Sequence, residues 1–371
     1  MQNYTSFQES GGAHARYHVA ILLHTDDLWQ RHENILRLKP LLDEFEVYVV
    51  ILGKATSILG DFCNDLKTLG FKVHVLPQKT RFSLRNLFIL SRFLKQNNIR
   101  VLHSQHVKVD FMAAVLNLMK SPISWIASIH DISTIESLSK WLRRCYFKAL
   151  GQSQAVVCSQ KFIPDALKTY LPRAQFSYIP DGVGEHEPLA KQESTFLILS
   201  SVRFLSDKEV SILLQAFALI KTVDQKLRLK LLASLPQEEG LLGLIKANRL
   251  NESVGVCVSK SEEEESYRQA SCFAMPFIQA TVLQDLLKAM SYGKAIVTSD
   301  IPGCSEILEH EETALLVNPG DGYALSLALK KVVGDESLRD RLGHAALEVY
   351  HRDFTLGKMI ESYRILYRMA V

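Results

Sequence analysis

The segment SSVRFLSDKEVSILLQAFALI (200–220) holds the most chemically suggestive pair of side chains in the sequence. An apolar run ends at Ser200, and Arg203 and Lys208 follow in the connection that opens an amphipathic stretch. Two cations beside the free backbone N–H groups of a helix start suit a diphosphate, which takes point charges and N–H donors together. A second candidate is His130 with Asp131, at the end of the apolar run ISWIASIH (123–130). The carboxyl end of a parallel strand is where ligands bind, so the pair fits a ligand contact; a histidine satisfied at a strand end is the plainer reading. Two stretches, 79–100 and 140–150, carry Lys79, Arg81, Arg85, Arg92, Lys95, Arg143, Arg144 and Lys148 among leucines and aromatics. Such a pattern fits a helix with a solvated basic edge, or one lying on an anionic membrane face. No nucleic-acid motif accompanies it, so no nucleic-acid partner is expected.

Composition narrows the classes. Hydrophobic residues make up 47% of the 371 and charged residues 22%, the balance of a soluble globular protein long enough for two domains. No apolar run approaches the roughly 18 residues of a membrane span. The polar opening, 1–16, lacks the apolar core of a secretory signal and reads as a disordered leader. Six widely spaced cysteines, without a Cys-x-x-Cys pair, read as buried reduced thiols in a cytoplasmic protein rather than a zinc site. The net charge of +3 hides an asymmetry: residues 1–183 carry 22 Lys and Arg against 14 Asp and Glu, the remainder 21 against 26. A basic first half suits an anionic partner.

These residues need elements to position them. Continuous apolar runs at 17–24, 46–52, 71–76, 101–105, 123–130 and 154–158 alternate with stretches of helical spacing. A second series, at 196–200, 227–233, 254–258, 272–276, 295–299 and 314–317, alternates with helical stretches at 207–221, 237–249, 262–270 and 281–292. Three further helices are expected near 322–333, 336–350 and 355–370. Ser261 before Glu262–Glu265 reads as a capping-box start. Continuous apolar strands separated by helices indicate parallel βαβ units. The expected fold is α/β: two Rossmann-like, doubly wound parallel-sheet domains facing across a ligand cleft. The expected divisions are 17–183, a linker at 184–195, 196–353, and a C-terminal helix at 354–371 that packs back on the first domain.

In order and spacing, several motifs together resemble the family 4 glycosyltransferases of the GT-B fold. Arg203 and Lys208 stand at the spacing of that family's Gly-Arg-x4-Lys-Gly, with Val202 and Glu209 in place of its two glycines. The segment 274–307 is similar to the family's donor-site segment through Pro276, Ala289-Met290, Gly293, Gly303 and Glu306. ALLVNPGD (314–321), SYIPDGV (177–183) and ASIHDI (127–132) follow further family patterns. The family's Glu-x7-Glu pair falls on Ala280 and Lys288, neither of which offers a carboxylate. Asp285, one helical turn before Lys288, and Gln279, beside Ala280, are the candidate substitutes. The glycine-rich loop after the first strand is absent from HTDDLWQRHENIL (24–36).

The resemblance implies a glycosyltransferase that moves a sugar from a nucleotide-diphosphate donor to a glycan or lipid-linked acceptor, with retention, in surface-polysaccharide synthesis. Catalysis would rest on Arg203, Lys208 and His130, and donor binding on Gln279, Asp285, Lys288, Gly303, Glu306 and Asp131. No cofactor or metal is implied, and Arg203→Ala or Lys208→Ala is expected to remove turnover with the fold intact. The setting implied is cytoplasmic, at the inner face of a membrane. Loss of the acidic pair supports a rival: a partner or chaperone subunit that keeps the fold without turnover. A sugar-nucleotide epimerase is weaker still, because no convincing acid and histidine set for proton abstraction stands out.

Overall fold

The computed structural model describes residues 16–25, 34–53, 57–77, 84–119, 123–130, 132–186, 196–203, 205–222, 224–234, 237–278 and 283–371. The leader apart from Arg16, most of the loop after the first strand, Lys79, Arg81, Asp131, residues 187–195, Gln279 and Ala280 lie outside them.

Thirteen strands form two parallel sheets among the described residues. The first holds β1 (Tyr17–His24), β2 (Phe45–Gly53), β3 (Lys72–Pro77), β4 (Val101–Ser104), β5 (Ser124–Ile129), β6 (Ala155–Cys158) and β7 (Phe176–Tyr178), in the order β3-β2-β1-β4-β5-β6-β7. The second holds β8 (Leu197–Ser201), β9 (Arg228–Leu232), β10 (Val254–Cys257), β11 (Cys272–Met275), β12 (Ala295–Ser299) and β13 (Leu315–Val317), in the order β10-β9-β8-β11-β12-β13. Each sheet reverses its strand order beside its first strand, which is the doubly wound pattern. Strands such as β2 and β12 are buried almost throughout because crossover helices cover both faces. All twelve strands expected from the apolar runs are present; β7, three residues long, was too short to stand out.

By contact density the chain divides into residues 1–126 with 367–371, and residues 127–366. In the first unit, Tyr367 is fully buried, with its ring edge-on to Phe45 and its hydroxyl 2.7 Å from His103 Nδ1. In the second, Gly182 admits no side chain: a Cβ there would stand 2.8 Å from Met359 Cβ and 2.9 Å from Leu356 Cα. Gly343 is equally constrained, since a Cβ would reach to 2.2 Å of the Gly293 carbonyl oxygen. Gly293 itself takes φ +63° in the turn after the helix Gln284–Ser291, a conformation that favours glycine.

Several expectations shift at element ends. The basic helix expected over 79–100 runs from Leu84 to Gln96, and the helix expected at 281–292 runs from Gln284 to Ser291. The acidic helix starts earlier than expected, at Lys260, with Ser259 as N-cap. No capping box forms: the Ser259 side chain bonds no backbone N–H, and its hydroxyl lies 2.8 Å from that of Ser261. All six cysteines are free, and five are buried; Cys145 is half-exposed. Burial pushes the thiols of Cys158, Cys272 and Cys304 up to about 12, which keeps them protonated and unreactive near neutrality. No helix among the described residues is long and apolar enough to cross a membrane.

Candidate functional site

Strand β8 sits where the order of the second sheet reverses, so its carboxyl end opens onto the crevice that such sheets use for ligands. Arg203 lies two residues past that end. Gln237 steadies the loop by donating its side-chain amide to the carbonyls of Val202 and Arg203, both at 3.3 Å. The guanidinium is only 18% exposed. It donates from Nη2 to Glu263 Oε2 at 2.5 Å and from Nη1 to Asp285 Oδ1 at 3.4 Å. Lys288 reaches the other oxygen of Glu263 at 2.8 Å, with its ammonium 5.0 Å from the centre of the Tyr267 ring. Asp285 also accepts from the Ser201 hydroxyl and, at 3.2 Å, from the buried Tyr267 hydroxyl.

Arg203, Asp285 and Lys288, picked from the sequence, are thus brought together, and Glu263, Tyr267 and Ser201 join them. Two cations and two carboxylates, each less than a fifth exposed, balance to zero charge. Burial alone would raise the Glu263 carboxyl pKa, but the bonds from Arg203 and Lys288 outweigh it and hold the group below its ordinary range. Burial and the neighbouring Asp285 carboxylate keep Tyr267 protonated well above its ordinary range, as its donor role requires.

Lys208 stands apart from this cluster, exposed in the first turn of the helix Asp207–Lys221. That helix begins in a full capping box. Glu209 accepts from the Ser206 N–H and hydroxyl, each at 2.7 Å, while the Ser206 hydroxyl accepts from the Glu209 N–H. The second oxygen of Glu209 accepts from the Ile278 N–H at 2.6 Å, tying the helix start to the segment that follows β11. A carboxylate from the chain therefore already occupies the electropositive end of this helix. Glu209, which stands where the family pattern has a glycine, therefore has a structural task of its own.

The remaining predicted residues gather elsewhere in the second unit. His130, nearly buried, has Nδ1 3.9 Å from Asp181 Oδ1. Asp181, Gly303 and Glu306 line one small cavity with Gln160, Tyr178 and Leu283. Glu306 closes the short helix Pro302–Ser305, whose first turn Pro302 pre-sets, and its carboxylate accepts the Lys161 N–H at 2.8 Å, before the helix Phe162–Lys168. Burial raises the Glu306 carboxyl above its ordinary range against the opposing bonds from the Lys161 and Phe162 N–H groups. Glu306 also borders a larger cavity of about 440 Å³ lined by Lys161, Tyr178, Arg352, Asp353 and Lys358. Among the described residues, no His, Cys, Asp and Glu cluster is arranged to hold a metal ion.

Residues 35–186 match the Glycosyltransferase Family 4 profile, and residues 184–349 match Glycosyl transferases group 1. An exopolysaccharide phosphotransferase of Streptomyces coelicolor is 29% identical over 51% of this chain and 20% of its own length. A capsular polysaccharide biosynthesis glycosyltransferase, CapM of Staphylococcus aureus, is 24% identical over 38% of each chain. These matches span less than half the length of the curated relatives. Anabaena Alr3699/HepE, solved with UDP-glucose, is 15% identical but superposes with a TM-score of 0.80 over 95% of this chain and 99% of its own. With consecutive family matches from residue 35 to 349 and the two-sheet architecture of its solved neighbours, the chain belongs to the family 4 glycosyltransferases, of the GT-B fold.

Proposed function

We propose that the chain is a glycosyltransferase that moves a sugar from a nucleotide-diphosphate donor to a glycan or lipid-linked acceptor in polysaccharide synthesis. The observation that carries this reading is the position of Arg203, a largely buried cation just past the carboxyl end of β8, where the sheet order reverses. Fold neighbours solved with UDP and with UDP-glucose support a nucleotide-sugar donor, and relatives named for capsular and exopolysaccharide work support the pathway class.

In this reading residues 196–353 serve the donor and 17–183 the acceptor. Arg203, with Lys208 five residues on in the same connection, stabilises the diphosphate as charge develops on it when the glycosidic bond to the sugar breaks, and Lys288, which shares Glu263 with Arg203, helps hold the donor. His130, Gly303 and Glu306 contact the sugar or its phosphates, and retention of configuration follows the family. Fixed cations replace the divalent ion that other phosphate chemistry uses, so activity survives a chelator. Phe88, 69% exposed beside Arg85 and Arg92 on one helix, and Trp141, 70% exposed beside Lys140 and Arg144 on another, each support contact with an anionic membrane surface on the cytoplasmic side.

A second reading, a non-catalytic partner subunit, is favoured by one specific observation: Glu263 and Asp285 already neutralise Arg203. The experiment that separates the two is incubation with UDP-, GDP- and dTDP-sugars at millimolar concentration, with and without EDTA, following free nucleoside diphosphate. Release from one donor, unaffected by EDTA, is expected. Absence of both release and calorimetric binding for every donor would refute the transferase.

A further inference from the structure

The Glu263 carboxylate divides its two oxygens between two cations, Oε2 to Arg203 at 2.5 Å and Oε1 to Lys288 at 2.8 Å. Its helix, Lys260–Gln269, carries four consecutive acids, Glu262 to Glu265; of these only Glu263 is buried. A diphosphate approaching Arg203 meets a site whose charge is already cancelled. It must either stay away from the guanidinium or take the place of a carboxylate on it.

Asp285 is poorly suited to leave. It is held by the Ser201 and Tyr267 hydroxyls as well as by Arg203. Glu263 is suited to leave, because releasing Arg203 breaks one of its two charged bonds and keeps the other. Lys288, standing where the sequence pattern has an acid, is what makes that exchange possible: it retains the displaced carboxylate inside the site.

Building on the donor reading above, we propose that Glu263 is a displaceable carboxylate gate on Arg203, which a diphosphate replaces while Glu263 stays bonded to Lys288. The gate selects by charge. A neutral sugar or nucleoside cannot compete with a carboxylate for a largely buried guanidinium, and a diphosphate, with several anionic oxygens, can. Glu263 is therefore a positioning and selectivity residue acting through Arg203, not a catalytic one.

The test is isothermal titration of the full chain with inorganic pyrophosphate and with UDP, comparing the wild type with Glu263→Gln. The uncharged amide leaves Arg203 paired with Asp285 alone and its Nη2 without a competing carboxylate, so both ligands are expected to bind at least about tenfold more tightly. Glu262→Gln, an exposed acid one residue away, should change affinity by less than about twofold, which excludes a general charge effect. Glu263→Asp keeps the charge on an arm one methylene shorter, cannot span both cations, and should show a smaller gain. A gain in affinity is the informative readout, since damage to the fold would lower affinity. Equal or weaker binding by both Glu263 variants overturns the gate, and wild-type binding of UDP in that experiment leaves the donor reading standing. No binding of either ligand by any variant overturns both.

Discussion

Replacing Arg203 with alanine should destabilise the second unit as well as impair any phosphate chemistry, contrary to the expectation drawn from the sequence that the fold would stay intact. The substitution leaves two buried carboxylates, Glu263 and Asp285, without their shared guanidinium. Removing one partner of a buried ion pair costs about 3–5 kcal/mol, because the other charge remains desolvated. Lys288 still reaches Glu263, and the Ser201 and Tyr267 hydroxyls still reach Asp285, so the low end, about 3 kcal/mol, is the expected loss at pH 7. That is a large share of the stability of an ordinary domain. Urea denaturation and hydrogen exchange at the β8 and β11 amides would report it, the latter confining the readout to this site.

The pH dependence has a definite sign. The folded-state pKa of Glu263 is depressed by its cations, so its pairing contributes stability above the ordinary carboxylate range and loses it as pH falls through the folded value. The gap between wild type and Arg203→Ala should therefore narrow below about pH 4. A loss under about 1 kcal/mol at pH 7, or a gap that widens on acidification, would refute the reasoning.

Three smaller perturbations test other parts of the structure. Glu209→Ala removes the acceptor of the Ser206 and Ile278 N–H groups and should cost about 2 kcal/mol, with faster exchange at the Ile278 amide. Tyr367→Phe removes the bond to His103 inside the first unit and should cost about 1 kcal/mol by chemical denaturation. Replacing Arg85 and Arg92 with glutamine should weaken co-sedimentation with phosphatidylglycerol vesicles by about 1 kcal/mol per site, and binding that is unchanged would refute membrane contact by this helix.

The βαβ alternation was legible because a parallel strand, covered on both faces, must be apolar along its whole length, as β2 and β12 are. The position of Arg203 was legible for a related reason: a strand-to-helix connection in such a sheet has only one end of the sheet to occupy. β7 was not legible, since three residues carry no period. Glu263 left a faint trace. Tyr267 and Ala270 follow it by four and seven residues and are buried, which puts this one acid of four on the inward helical face. Lys288, a cation on the largely buried helix Gln284–Ser291, also implied an acid somewhere opposite it.

The sequence by itself determined twelve of the thirteen strands and the loop in which Arg203 stands, because these follow from local runs of apolar residues and the turns between them. Only the tertiary structure decided what Arg203 faces. Its partners lie 60 and 82 residues downstream, on two different helices, and Glu306 likewise meets a backbone N–H 145 residues upstream. Ion pairs of that range leave no periodic pattern in the chain. They arise where folding removes the side chains from water and each charge must be matched.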